Sequence, residues 1–171
     1  MPAASYAAAK PTIAKLADAD FAPLALPSKT AFEIDAASPA FDFGAEGVSY
    51  FRAFELPQSD RPYTVTVASY MWNLAKRPPG NGVFYQTVAA LDRDKRPIST
   101  IKPSAASWVM QTDLPPHRDI VLNLQPDMGA RYIVVYTTSP PIIDVDAQTE
   151  TIHMAGMSVG SLSVEVKGTA R

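Results

Sequence analysis

Sixteen prolines are spread through the 171 residues, so few stretches of this chain run long without one. Proline fixes φ and lacks the N–H that a helix interior or a central strand must donate. A chain so punctuated is restricted to short elements joined by turns. Between the prolines the sequence is rich in Val, Thr, Tyr and Phe, residues that suit a pleated, half-buried surface. Together these features predict an all-β fold.

A period-two pattern agrees. Phe32 with Ile34, then Phe41 with Phe43, alternate within Thr30 to Ile34 and Pro39 to Phe43. The turn Gly44-Ala45-Glu46-Gly47 leads to Val48 to Leu56. Tyr63 to Trp72 is the clearest strand, with Tyr63, Val65, Val67 and Met71 on one face and Thr64, Thr66, Tyr70 and Trp72 on the other. Lys76 to Gly82 reads as a loop. Val83 to Leu91 and Pro97 to Ile101 read as a hairpin across the charged turn Asp92 to Arg96. Ser107 to Gln111 is a short stretch, and Asp119 to Leu124 alternates through Ile120, Leu122 and Leu124. Arg131 to Thr138 is apolar on both faces, which predicts a central strand, and Leu162, Val164 and Val166 mark the closing one.

About nine short strands at this spacing predict a two-sheet antiparallel β-sandwich, jelly-roll-like or immunoglobulin-like, over residues 29–171. Residues 1–28 are expected to form an arm and a short helix. Thr12 would cap that helix, which would run through Ile13, Leu16 and Ala17 and fail by Pro23.

Composition removes several functions. The formal net charge of −2 gives no general attraction to nucleic acid or an anionic membrane, and the absence of cysteine excludes disulfides, thiolate metal sites and a cysteine nucleophile. No apolar run approaches the ~20 residues of a membrane-spanning helix. The first residues lack the basic and apolar regions of a signal peptide. Only two histidines occur, His117 and His153, expected in loops beside Pro116 and Met154, without a serine-hydrolase or zinc-protease motif around them. Asp92 with Asp94, and Asp144 with Asp146, lack the glycine and distal glutamate of a calcium loop and read as solvated charges. No catalytic residue, metal or cofactor is expected.

Aromatic residues offer more. Tyr70, Trp72 and Trp108 are candidate ligand-binding rings, because aromatic faces on a sheet surface can stack on sugars, although such rings more often belong to a core. The segment Ser139 to Met157 reads as a long loop, and its Ile142, Ile143 and Met154 are candidates for a partner-contact surface or an end cap.

Several segments carry a family resemblance. Phe21-Ala22-Pro23-Leu24, Ala53-Phe54-Glu55-Leu56-Pro57, Val88-Ala89-Ala90-Leu91-Asp92 before Pro97, and Arg131-Tyr132-Ile133-Val134-Val135-Tyr136-Thr137-Thr138 resemble the maltose operon periplasmic protein family. The resemblance spans roughly Phe21 to Lys167 and departs at Met71 to Gly80 and in the long segment after Thr138. It implies an exported, non-catalytic accessory protein of the Gram-negative cell envelope, linked to carbohydrate uptake and acting through protein contacts, with its leader removed. The alternative is a carbohydrate-binding module that uses the exposed aromatic residues.

Overall fold

The computed structural model describes residues 10–73, 81–102, 107–109, 116–137, 142–147 and 150–169. The chain is mostly β, with strands numbered in chain order. One five-stranded sheet has the spatial order β1 (Phe21–Pro23), β5 (Arg52–Glu55), β13 (Tyr132–Thr137), β9 (Gln86–Leu91) and β10 (Pro97–Ile101). A second five-stranded sheet is ordered β11 (Ser107–Val109), β12 (His117–Leu124), β6 (Tyr63–Tyr70), β16 (Gly160–Gly168) and β2 (Ser28–Ile34). A four-stranded sheet joins β14 (Ile142–Ala147), β15 (Glu150–Gly156), β8 (Asn81–Val83) and β7 (Trp72–Asn73), and β3 (Ala40–Asp42) pairs with β4 (Val48–Tyr50). Among these pairings only β1 with β5 and β15 with β8 are parallel. Among the described residues no helix is long and apolar enough to cross a membrane.

The two five-stranded sheets share one buried core. Phe54, Val88, Ala90, Ile133 and Val135 come from the first sheet, and Val65, Val67, Ile120, Leu122, Leu162, Val164 and Val166 from the second. All fall in the inward phase of a period-two pattern, which is why alternation located these strands in the sequence. The first sheet buries its other face too. Ala53, Ala89, Leu91, Val134 and Tyr136 form a second cluster with Phe51, covered by Ile13, Leu16, Phe21, Phe41 and Phe43. β13, apolar on both faces, lies between β5 and β9 as predicted for a central strand.

That second cluster explains why the expected N-terminal helix is not formed. Thr12 does not cap a helix. Its hydroxyl donates to the Ala40 carbonyl and accepts from the Ala40 N–H, at 3.3 and 2.9 Å, and its own N–H donates to the same carbonyl at 2.8 Å. Only Leu16–Asp18 closes a single 3-10 turn, after an extended Lys15. The extended course lets Ile13, Leu16, Ala19 and Phe21 all reach the sheet, so burial of apolar surface outweighs local helix propensity.

Two further expectations are corrected. Asn81 and Gly82, read as loop, belong to β8, and the segment after Thr138, read as one long loop, contains the β14–β15 hairpin. Its β-branched residues Ile142, Ile143, Val145, Thr151 and Ile152 favour strands. The β9–β10 hairpin stands where it was predicted. Asp92 Oδ1 accepts the N–H groups of Asp94 and Arg96, at 2.8 and 2.9 Å, so this carboxylate organises the turn.

The cover over the outer face is latched by charge. Phe43 stacks on Tyr136 at 3.8 Å and 6°, and the Tyr136 hydroxyl donates to Glu46, which also pairs with Lys102. Burial alone would raise the Glu46 pKa, but hydrogen bonds from Lys102 and Tyr136 and the Lys102 charge outweigh it and lower the pKa below the ordinary value. A carboxyl held lower in the folded state stabilises above its unfolded pKa, and that contribution is lost as pH falls through the folded one. Glu46→Gln should therefore cost about 1 kcal/mol at neutral pH. Urea denaturation should show the deficit closing in acid.

Close packing sets a second expectation. A Cβ built on Gly160, at the start of β16, would lie 2.7 Å from the Cβ of fully buried Phe84. Gly160→Ala must push β16 away from the segment that joins β8 to β9, so it should lower stability by roughly 1–3 kcal/mol in the same measurement.

Candidate functional site

Strand register assembles a polar site on the outer face of the second five-stranded sheet. In β6 and β12, Tyr70 lies opposite His117 and Ala68 opposite Asp119, while Ser163 of β16 lies opposite Ala68 on its other side. Because Val65, Val67, Ile120, Leu162 and Val164 take the inward phase, these residues take the outward one. Tyr70 is half-buried. Its hydroxyl shares a 3.1 Å hydrogen bond with Ser163 Oγ, and its ring lies 5.2 Å from that of His117. Lys29 and Lys167 both pair with Glu165, the former at 3.5 Å. Val121 stands exposed beside them.

His117 Nε2 approaches Asp119 Oδ1 at 3.4 Å, too long for a well-formed hydrogen bond. That carboxylate oxygen is buried without a hydrogen-bond partner. Burial is the main influence on Asp119 and raises its pKa, reinforced by Glu165 and opposed by His117 and Lys29. A histidine oriented by an aspartate is half of a general-base arrangement. Ser163, the hydroxyl of the cluster, is bonded to Tyr70 rather than to His117. Both histidines occupy strands, His117 in β12 and His153 in β15, not the loops expected of them.

The sequence-predicted ligand residues sit on three strands in two different sheets. Trp72 begins β7 opposite Gly82 in the four-stranded sheet, whereas Tyr70 ends β6 in the second five-stranded sheet. Trp108 lies opposite Arg118, and Tyr70 opposite His117, so the two hold register positions of opposite parity. The side chains of Trp72 and Trp108 lie outside the described residues. The predicted contact residues do come together along the backbone, with Ile143 opposite Met154 and Ile142 opposite Ala155. Met154 is also in register with Asn81 of β8.

Sequence reading missed a buried polar layer between the two five-stranded sheets. Gln86 at the start of β9 is fully buried, and its amide nitrogen donates to the carbonyls of Val67 and Arg118 at 3.2 and 2.7 Å. It thereby ties one sheet to two neighbouring strands of the other, β6 and β12. Ser69 adds a 2.6 Å bond to the Phe84 carbonyl. Arg118 is buried with its guanidinium 3.8 Å above the Tyr85 ring, and burial brings its pKa down to about 10, leaving it charged at neutral pH. A signal existed: Gln86 is in phase with Val88 and Ala90, and Arg118 with Ile120 and Leu122. The chain matches no protein-family model, no curated protein and no solved structure.

An aspartate whose folded pKa is raised costs stability once it ionises, and the cost is absent below the unfolded value. Asp119→Asn should therefore raise the denaturation midpoint at neutral pH, and the gain should vanish in acid, as urea titrations at both conditions would show.

Proposed function

We propose that the two five-stranded sheets are the layers of a β-sandwich that acts by contact rather than catalysis, as an accessory protein of the cell envelope. The observation that carries the contact reading is the outer face around Tyr70. There a half-buried ring, fixed by Ser163 and His117, stands next to small Ala68, and exposed Val121 with Lys29, Glu165 and Lys167 continue the same face further along the strands. A rigid ring oriented by its neighbours loses little freedom when a partner covers it. The shared core and the repeated crossing of the chain between sheets, from β5 to β6 and from β12 to β13, support the sandwich. The periplasmic compartment and the link to carbohydrate uptake rest on the family resemblance of the framework segments.

A second reading has its own support. The same ring carries a hydroxyl bonded to that of Ser163, and Thr66 adds a further hydroxyl along the same face, the mixture of flat apolar and hydrogen-bonding groups that a sugar uses.

Osmotic shock of the native host should release the protein with the periplasmic contents; retention in the cytosol defeats the proposal. A photoreactive residue at Val121 should crosslink an envelope protein, and Tyr70→Ala should abolish the adduct. Maltodextrin titration separates the two readings: quenching of intrinsic fluorescence that disappears in Tyr70→Ala favours the sugar.

A further inference from the structure

A second place in the fold, a cleft lined by residues around β1, β2 and β5, carries opposite charges. Leu24 after β1, and Phe54 and Leu56 in and after β5, point into the shared core with a two-residue phase. One step back, that phase reaches Arg52 at the first position of β5. In the parallel register that sets Phe21 opposite Ala53, Asp20 falls level with Arg52. Two opposite charges thus stand where the apolar lining would otherwise continue.

The second sheet supplies the facing wall. Phe32 of β2 meets Phe54 edge-on at 5.0 Å and 67°, and the Glu33 carbonyl accepts a 3.0 Å hydrogen bond from Arg52 Nε. The turn between β2 and β3 closes one side, stiffened by Asp35, whose Oδ1 accepts the N–H groups of Ala37 and Ser38 at 2.9 and 3.0 Å. Arg52, Asp18, Asp20, Phe32, Phe54 and the turn residues Ala36 to Pro39 line a cleft of about 620 Å³. That volume is within the range of small-molecule sites.

The opposite charges do not neutralise each other. Among the described residues neither Asp18 nor Asp20 comes within ion-pair distance of Arg52, and only Nε of that guanidinium makes a hydrogen bond. The bond to Glu33 holds the planar fork in place, with its two terminal nitrogens available for a carboxylate. An anion alone would meet the two aspartates, a cation alone would meet Arg52, and a neutral polyol could hydrogen-bond to both but would leave both charges uncompensated.

We propose that this cleft binds a small zwitterion with an apolar side chain, of the chemical class of an α-amino acid. Its carboxylate sits on the Arg52 terminal nitrogens, its ammonium on Asp20 with Asp18 alongside, and its side chain against Phe32 and Phe54. No bond is made or broken.

The test is a titration of the isotope-labelled protein with leucine, N-acetyl-leucine, leucinamide and maltose, read by amide and Arg side-chain chemical shifts. Leucine should move the Arg52 Nε–H and the amides of Phe32 and Ala37. Each blocked form should bind about ten-fold more weakly, the effect of losing one charge-assisted hydrogen bond at an accessible site. Arg52→Gln should erase the preference for leucine over leucinamide, and Asp18→Asn with Asp20→Asn the preference over N-acetyl-leucine. All three side chains are exposed, and the dispersion of the variant spectra checks that the fold is kept. Equal binding of leucine and its blocked forms overturns the proposal. So does the absence of shifts at these residues at millimolar leucine, or maltose producing the same shifts.

Discussion

Two-sided burial of β9 and β13 is the constraint to which much of the fold answers. Val88, Ala90, Ile133 and Val135 face one core while Ala89, Leu91, Val134 and Tyr136 face another, so the sheet that holds them needs a cover on each side. The second five-stranded sheet provides one. The other is assembled from irregular chain: Ile13, Leu16 and Phe21 before the first long strand, and Phe41 and Phe43 around a two-stranded hairpin. Fully burying a Phe or Leu contributes roughly 1.5–3 kcal/mol, and each of these partly buried residues contributes a share of that. That is ample to hold an extended segment in place of a helix whose intrinsic preferences are worth tenths of a kcal/mol per residue.

Polar groups interrupt both cores in an ordered way. The Gln86 amide bridges between the sheets, and Tyr136, Glu46 and Lys102 latch the outer cover. Buried polar atoms cost free energy unless they are bonded, so such bridges constrain the relative position of the layers more strictly than apolar contacts do. Not every such atom is bonded: among the described residues the Gln86 amide oxygen and one oxygen of Asp119 are buried without a hydrogen-bond partner. The Asp119 oxygen lies beside a histidine and at the edge of the Tyr70 cluster. A buried polar atom without a partner needs a physical reason, and for Asp119 a contact made on that face would supply one.

Much of the strand framework was legible in the sequence because alternation is a local signal. Val65 and Val67, or Ile120 and Leu122, reveal an inward face without any knowledge of what lies opposite. The candidate site was legible only in part. Tyr70 was singled out as an outward aromatic, and it is one, but its partners Ser163 and His117 come from strands far away in sequence. Gln86, Arg118 and Arg52 were passed over because they are polar, although each stands in the inward phase of its strand. Phase, rather than residue type, was the informative property.

By itself the sequence determined the strand-rich class, the turn positions and the central place of β13, since proline chemistry and a two-residue period act within a few residues. Tertiary structure alone decided that Thr12 pins β3 instead of capping a helix. It also decided that Ile142 to Gly156 pairs as a hairpin, and that Asp20 comes level with Arg52 without closing an ion pair. Each of these depends on which distant surface competes for a group. Burial and hydrogen bonding between strands are settled by register and layer packing, which a local pattern does not encode.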